Sequence, residues 1–163
     1  MSRDVVIAPL TAEAFAPYGD VIEASGTPSK LINRGKCGRY HDLAALDFAD
    51  GKAGINIFEG EPYSLPLTLD MMERHPLGSQ AFLPMSSDPF LVIVAEDSNG
   101  TPINPHAFTT RSGQGVNYHR NTWHGVLTPL DRKAFFAVVD RIGDADNLEE
   151  YFFDEYFRVV SAS

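Results

Sequence analysis

Three residues, Glu73, His75 and Gln80, place a carboxylate, an imidazole and a carboxamide just ahead of an apolar run, Ala81-Phe82-Leu83-Pro84-Met85. Along an extended segment side chains alternate between faces, so Glu73 and His75 point the same way. Pro76 and Gly78 bend the chain, and Gln80 can return to that face from the next strand. A second polar stretch, Asn117-Tyr118-His119-Arg120-Asn121-Thr122-Trp123-His124, lies about 40 residues further on, room for one strand-rich excursion out and back. Burying so many polar groups is costly unless they satisfy one another or bind something. If the two stretches meet, Glu73, His75, Gln80 and His124 form a set suited to a borderline divalent cation or a polar small molecule. His75 and His124 are then the groups able to move protons near neutral pH.

The other histidines carry less. His106 sits between Pro105 and Ala107 and reads as structural, as does His41 beside Tyr40 and Asp42. Tyr118 and His119 alternate, so on a strand only one of them faces a cavity; His119 is read as the supporting neighbour. Trp123 reads as wall or core, the usual place for a large aromatic. No G-x-S-x-G elbow occurs, and the single cysteine, Cys37, has no adjacent base and reads as inert. A P-loop and a G-x-G-x-x-G are missing too, so no nucleotide cofactor is expected, and neither H-E-x-x-H nor paired C-x-x-C is present.

The elements that must hold these residues are mostly short strands. Val5–Ala8 reads as a first strand, and Thr11 caps a helix from Ala12 to about Tyr18 with Gly19 at its exit. Val21–Glu23, Arg39–Leu43, Gly54–Phe58 and Tyr63–Met72 read as strands, the last kept to an edge or bulge by Pro66. Phe82–Met85 and Phe90–Ala95 flank Ser86-Ser87-Asp88-Pro89, which reads as a tight hairpin turn. Phe90–Ala95 is apolar on both faces and is the core strand. Asp97-Ser98-Asn99-Gly100 is another turn. Ala107–Thr110, Gly115–Tyr118, Trp123–Leu127 and Ala134–Asp140 add strands. The acidic and aromatic tail 147–158 reads as a helix capped by Asn147. Many short strands at regular spacing predict an all-β chain, a β-barrel or jelly roll with minor helix.

At 163 residues, without repeats or Gly-rich linkers, the chain reads as one domain spanning 1–163. A formal charge of −9 disfavours nucleic acid or an anionic membrane as partner, although a small anion can still bind a local basic pocket. No apolar run is long enough to span a bilayer, and the charged N-terminus does not read as a signal peptide. One cysteine suits a reducing compartment, so a soluble cytoplasmic protein is expected.

On these motifs the chain resembles the cupin superfamily, whose first motif carries His-x-His followed by Glu and whose second runs from a Gly to a His. Glu73, His75 and Gln80 fall on the first-motif ligand positions; Gly115 opens the second motif and His124 takes its histidine. Glu73 stands where cupins have His, and Gln80 where they have Glu, a neutral and weaker ligand. The stretches Glu73–Phe82 and Gly115–His124, with Leu10–Ile22 and Arg39–Asp42, are similar more narrowly to the ureidoglycolate lyase family. That resemblance implies a cytoplasmic cupin homodimer of allantoin breakdown that splits (S)-ureidoglycolate into glyoxylate and urea, with a divalent metal, nickel in some members. It implies metal ligation by Glu73, His75, Gln80 and His124. The chemistry of that reaction then gives catalytic roles to His75, His124 and Glu73 and substrate contacts to Gln80, Tyr118, His119 and Arg39 or Arg120, either of which can clamp the carboxylate. A ureidoglycolate amidohydrolase releasing ammonia and a non-catalytic ligand-binding cupin are the competing readings.

Overall fold

Runs of β-branched and aromatic residues broken by Gly, Pro, Asn and Asp favour pairing between distant segments over local helix. The computed structural model describes residues 3–163, and its regular structure is almost wholly strand. In chain order these are β1 (Asp4–Pro9), the single turn of helix α1 (Ala12–Phe15), β2 (Gly19–Ile22), β3 (Lys30–Ile32), β4 (Cys37–Arg39), β5 (Lys52–Gly60), β6 (Leu67–Arg74) and β7 (Gln80–Pro84). They continue with β8 (Phe90–Ser98), β9 (Thr101–Thr109), β10 (Gly115–Tyr118), β11 (Trp123–His124), β12 (Thr128–Pro129), β13 (Ala134–Ile142) and β14 (Glu149–Val160).

A seven-stranded sheet runs β11-β6-β14-β1-β9-β8-β12, and a second pairing of β11 with β8 closes six of those strands into a ring. A five-stranded sheet, β2-β10-β7-β13-β5, packs against it, and β3 with β4 forms a separate hairpin. The all-β barrel expectation holds.

β8 explains why its sequence is apolar on both faces. Val92 and Val94 point into a core between the two sheets, with Phe15, Phe82, Phe108, Val116 and Phe136. Leu91, Ile93 and Ala95 point into the ring, with Leu69, Met72, Trp123, Phe153 and Val159. One strand is therefore the wall of two cores. Its far end turns into β9 through Asn99 and Gly100, whose φ values of 51° and 85° suit the Asn-Gly hairpin signature.

Several expectations change. The strand expected over Arg39–Leu43 is instead β4 and ends at Arg39. The strand expected from Tyr63 begins only at Leu67, past Pro66, and lies between β11 and β14 rather than at an edge. The segment after β7 is not a hairpin turn: β7 pairs with β10 and β13, whereas β8 pairs with β9, β11 and β12, so Ser86–Pro89 carries the chain from one sheet to the other. The Thr11-capped helix stops at Phe15, because Pro17 has no N–H to continue the ladder; Thr11 Oγ1 does accept from the Ala14 N–H at 3.1 Å. The tail is strand, not helix. Its alternating aromatics slot β14 between β6 and β1, antiparallel to the first and parallel to the second.

The sheets position the chemistry at two adjacent crossings. Residues 75–79 lead from β6 to β7, and residues 119–122 lead from β10 to β11. The Asn121 N–H donates to the His75 carbonyl at 2.9 Å, and the Arg120 Nε–H donates to the Pro76 carbonyl at 2.6 Å, locking one crossing to the other.

Candidate active site

Glu73, next to the last residue of β6, lies directly opposite His124 of β11. His75 follows on the same face, just past the strand end. The result is a cluster in which the ligand atoms of Glu73, His75 and His124 all lie within 4.8 Å of one another. The two imidazole centroids are 5.2 Å apart.

Each imidazole is anchored by its Nδ1. In His75 it lies 2.8 Å from the Asn147 carbonyl, and in His124 2.9 Å from the Gly125 carbonyl. A carbonyl can only accept, so in the neutral rings Nδ1 carries the hydrogen and Nε2 keeps its lone pair. Both Nε2 atoms are buried without a protein partner. Rings tied back by Nδ1–H with free Nε2 lone pairs, beside a carboxylate, are the arrangement that metal-ligating histidines adopt. Glu73, His75 and His124 can therefore hold a metal ion.

Gln80 joins from the opposite sheet. It lies across from Tyr118 in the β7–β10 pair, and the Tyr118 ring stacks on His124 at 4.2 Å and 8°. The Gln80 Nε2 donates to Asp140 Oδ2 at 3.2 Å, while Asn56 Nδ2 donates to Asp140 Oδ1 at 2.8 Å. With its amide nitrogen held there, Gln80 Oε1 is left buried and unpaired, a further acceptor beside the cluster.

Burial sets the electrostatics. His124 is 2% exposed, and desolvation with the nearby His75 pulls its pKa down to about 3, so it is neutral across the physiological range. Desolvation pushes the Glu73 carboxyl above the ordinary value, against the opposing pull of His75. Burial and the charge of Glu73 push the Tyr118 hydroxyl up, so it stays a protonated donor.

The remaining sequence candidates sit elsewhere. His119 turns to the outer side of β10, where Nε2 pairs with Asp20 Oδ2 at 3.1 Å. Burial raises Asp20, but hydrogen bonds from Asn117, the Ala45 N–H and His119 outweigh it and leave the carboxyl below its usual range. Arg120 is on the rim, tied to Pro76 and 3.7 Å from Asp47. Arg39 is exposed at the end of β4 and makes no hydrogen bond or ion pair with any of the four clustered residues. Tyr118, not His119, faces the cluster. Asn147 and Asp140 escape a reading based on spacing. Asn147 holds His75 by its carbonyl and the Leu77 N–H by Oδ1 at 2.6 Å, and no local pattern in the sequence links positions so far apart.

Comparison with known proteins gives a consistent result. The ureidoglycolate lyase family model matches residues 2–160. A ureidoglycolate lyase of Rhodobacter capsulatus is 60% identical over 148 residues, covering 90% of this chain and 92% of its own. One of Chelativorans sp. is 55% identical, covering 96% of each. A dTDP sugar isomerase structure from Desulfovibrio desulfuricans G20 aligns over 83% of this chain and 82% of its own at 18% identity, with a TM-score of 0.49. The family match and these identities over nearly full length lead to one conclusion: this chain belongs to the ureidoglycolate lyase family.

Proposed function

We propose that this chain is a carbon–nitrogen lyase that cleaves (S)-ureidoglycolate to glyoxylate and urea, a step of allantoin and hence purine degradation. Family membership supports the substrate. The observation that carries the chemistry is the trio of Glu73, His75 and His124 with both Nε2 lone pairs free.

The substrate carbon bears a hydroxyl, a carboxylate and the ureido nitrogen. Cleavage moves the hydroxyl proton to the departing nitrogen as the C–N bond breaks and C=O forms. No net proton and no water is consumed, so one group can take the proton and return it. Glu73 suits that task, because partial burial holds its carboxyl above the ordinary range and makes it a better base. Gln80 Oε1 accepts from the urea NH₂, and the Tyr118 hydroxyl donates to a substrate oxygen. Arg120, on the rim and tied to the Pro76 carbonyl, supplies a positive group toward the carboxylate, whereas Arg39 and His119 lie away from the cluster.

Glu73, His75 and His124, with Gln80 Oε1 beside them, would hold a divalent cation, nickel by resemblance to the family, which when bound polarises substrate oxygens as a Lewis acid. The donor set fits such an ion because the carboxylate and two neutral imidazoles suit a borderline cation.

The working unit in this reading is a cytoplasmic homodimer. Ile55 and Ile57 of β5, Phe135 of β13 and Met85, just past the end of β7, lie exposed, apolar surface that a second copy would cover.

The test is product analysis with racemic ureidoglycolate, with and without chelator. Glyoxylate and urea in equal amounts, lost on chelation and restored by Ni²⁺, is the expected result. Ammonia in place of urea would favour the amidohydrolase, and saturable binding without turnover in the metal-loaded protein would favour a binding module.

A further inference from the structure

The wall that carries the cluster has a back side. β6, β11 and β8 lie side by side there, with His124 opposite both Glu73 and Val94 and Trp123 opposite Ala95. Alternation sends Glu73 and His124 to the front of this wall and their neighbours Arg74 and Trp123 to the back.

On the back these neighbours form a closed set of contacts. The Arg74 guanidinium lies over the Trp123 ring, with Cζ 4.4 Å from its centroid. Its Nε donates to Glu149 Oε2 of β14 at 2.7 Å and its NH1 to Asp97 Oδ1 of β8 at 3.0 Å. The Trp123 Nε1–H donates to the same Asp97 oxygen at 2.8 Å. The Arg74 side chain is only 12% exposed, so these are partly desolvated contacts, unlike most surface ion pairs.

β11 is two residues long and has little ladder of its own to fix it. Arg74 and Asp97 tie it to both neighbours through the Trp123 side chain, one residue from His124. Arg74 itself stands between Glu73 and His75.

We propose that Arg74 is a positioning residue for this centre: clasped by Asp97, Trp123 and Glu149 behind the wall, it sets the spacing of Glu73 and His75 against His124. The proposal rests on the metal reading for its main test and has a second arm that does not.

Arg74→Lys keeps the charge but cannot reach both carboxylates while lying flat on the indole. The expected result is a 10- to 100-fold weaker affinity for Ni²⁺ by calorimetry, roughly the cost of losing a group that orients ligands. Arg158→Lys breaks a two-bond pair between Arg158 of β14 and Asp4 of β1, away from the cluster, and should bind Ni²⁺ as the parent does. An Arg74→Lys variant that folds and binds Ni²⁺ with unchanged affinity would overturn the proposal.

A parent protein that takes up no Ni²⁺ defeats the metal reading instead. In that event the imidazole ¹⁵N shifts of His75 and His124 decide: displaced in Arg74→Lys and still in Arg158→Lys supports the role, and unmoved in both sinks it. Because Trp123 is the single tryptophan, its emission reports in every variant whether the clasp has opened.

Discussion

β8 separates two cores of similar apolar make-up that end differently. The core inside the six-strand ring is lined by Met72, Trp123 and Phe153, and the polar groups against it, Arg74, Asp97 and Glu149, are paired with one another. The core between the sheets runs through Phe82 and Tyr118 into the Glu73–His75–His124 cluster, where buried nitrogens and a carboxamide oxygen lack partners. The ring gains stability from complete burial. The other core gives some up to keep unsatisfied groups in place, a cost that a binding site requires. Stability and chemistry thus lie on opposite faces of one strand, close enough to be rigid together and separate enough to be altered apart.

The largest effect that would test this division is loss of His124. His124→Ala should lower kcat by roughly 100- to 10,000-fold, as removal of a group at the reacting centre does, while the chain still unfolds cooperatively. Glyoxylate release and thermal melts read the two properties. A variant with parental turnover would remove His124 from the mechanism.

Phe153→Ala makes the reciprocal cut in the ring. Its expected cost is about 3–5 kcal/mol of stability by urea unfolding, with kcat/KM of the remaining folded protein within about twofold of the parent. If the folded fraction were inactive, the cores would not be separable.

A smaller effect concerns pH. In the metal-free chain His124 has a folded pKa of about 3 against an ordinary 6.5. Below 6.5 the unfolded chain takes up a proton that the folded chain refuses, so stability is complete above that pH and is lost as the pH falls toward 3. The limiting slope is about 1.4 kcal/mol per pH unit. Glu73, with a raised carboxyl, acts in the other sense: its contribution is present at low pH and fades as the pH rises through its folded value. Urea midpoints between pH 7 and pH 4 should fall for the parent and fall less for His124→Gln; equal slopes would assign the effect to other groups.

Asn147→Ala is the mildest. It leaves the backbone carbonyl on His75 Nδ1 in place and removes only the bond to the Leu77 N–H. A drop of about tenfold in kcat/KM with about 1 kcal/mol of destabilisation is expected. A loss as large as that of His124→Ala would mean that Asn147 itself touches substrate.

Much of this arrangement was legible because two simple periodicities govern it. Alternation put Glu73 with His75, and the bend at Pro76 and Gly78 returned Gln80 beside them through Tyr118. The doubly apolar pattern of β8 announced burial on both sides, although not that the sides belong to different cores. Long-range partners were invisible: nothing near Asn147 indicates that its carbonyl meets His75, nor does the context of Asp140 point to Gln80. The tail misled because its acids sit where a helix could solvate them, whereas its aromatics are spaced for a strand flanked by β6 and β1. Nothing near Arg74 in the sequence points to its three partners, which are drawn from β8, β11 and β14.

The parallel pairing of β1 with β14 has a consequence for biogenesis. β1 is held between β9 and β14, so one of its edges has no partner until β14 has left the ribosome. The same strand supplies Glu149 to Arg74, and Asn147 just before it holds His75. A nascent chain can therefore gather its inter-sheet core early but cannot finish the ring or fix His75, and its open strand edges are sticky in the interval. Completion of the Glu73–His75–His124 cluster is consequently a late event in the life of each chain, and nonsense or frameshift lesions upstream of 149 should yield aggregating products rather than weakened enzymes.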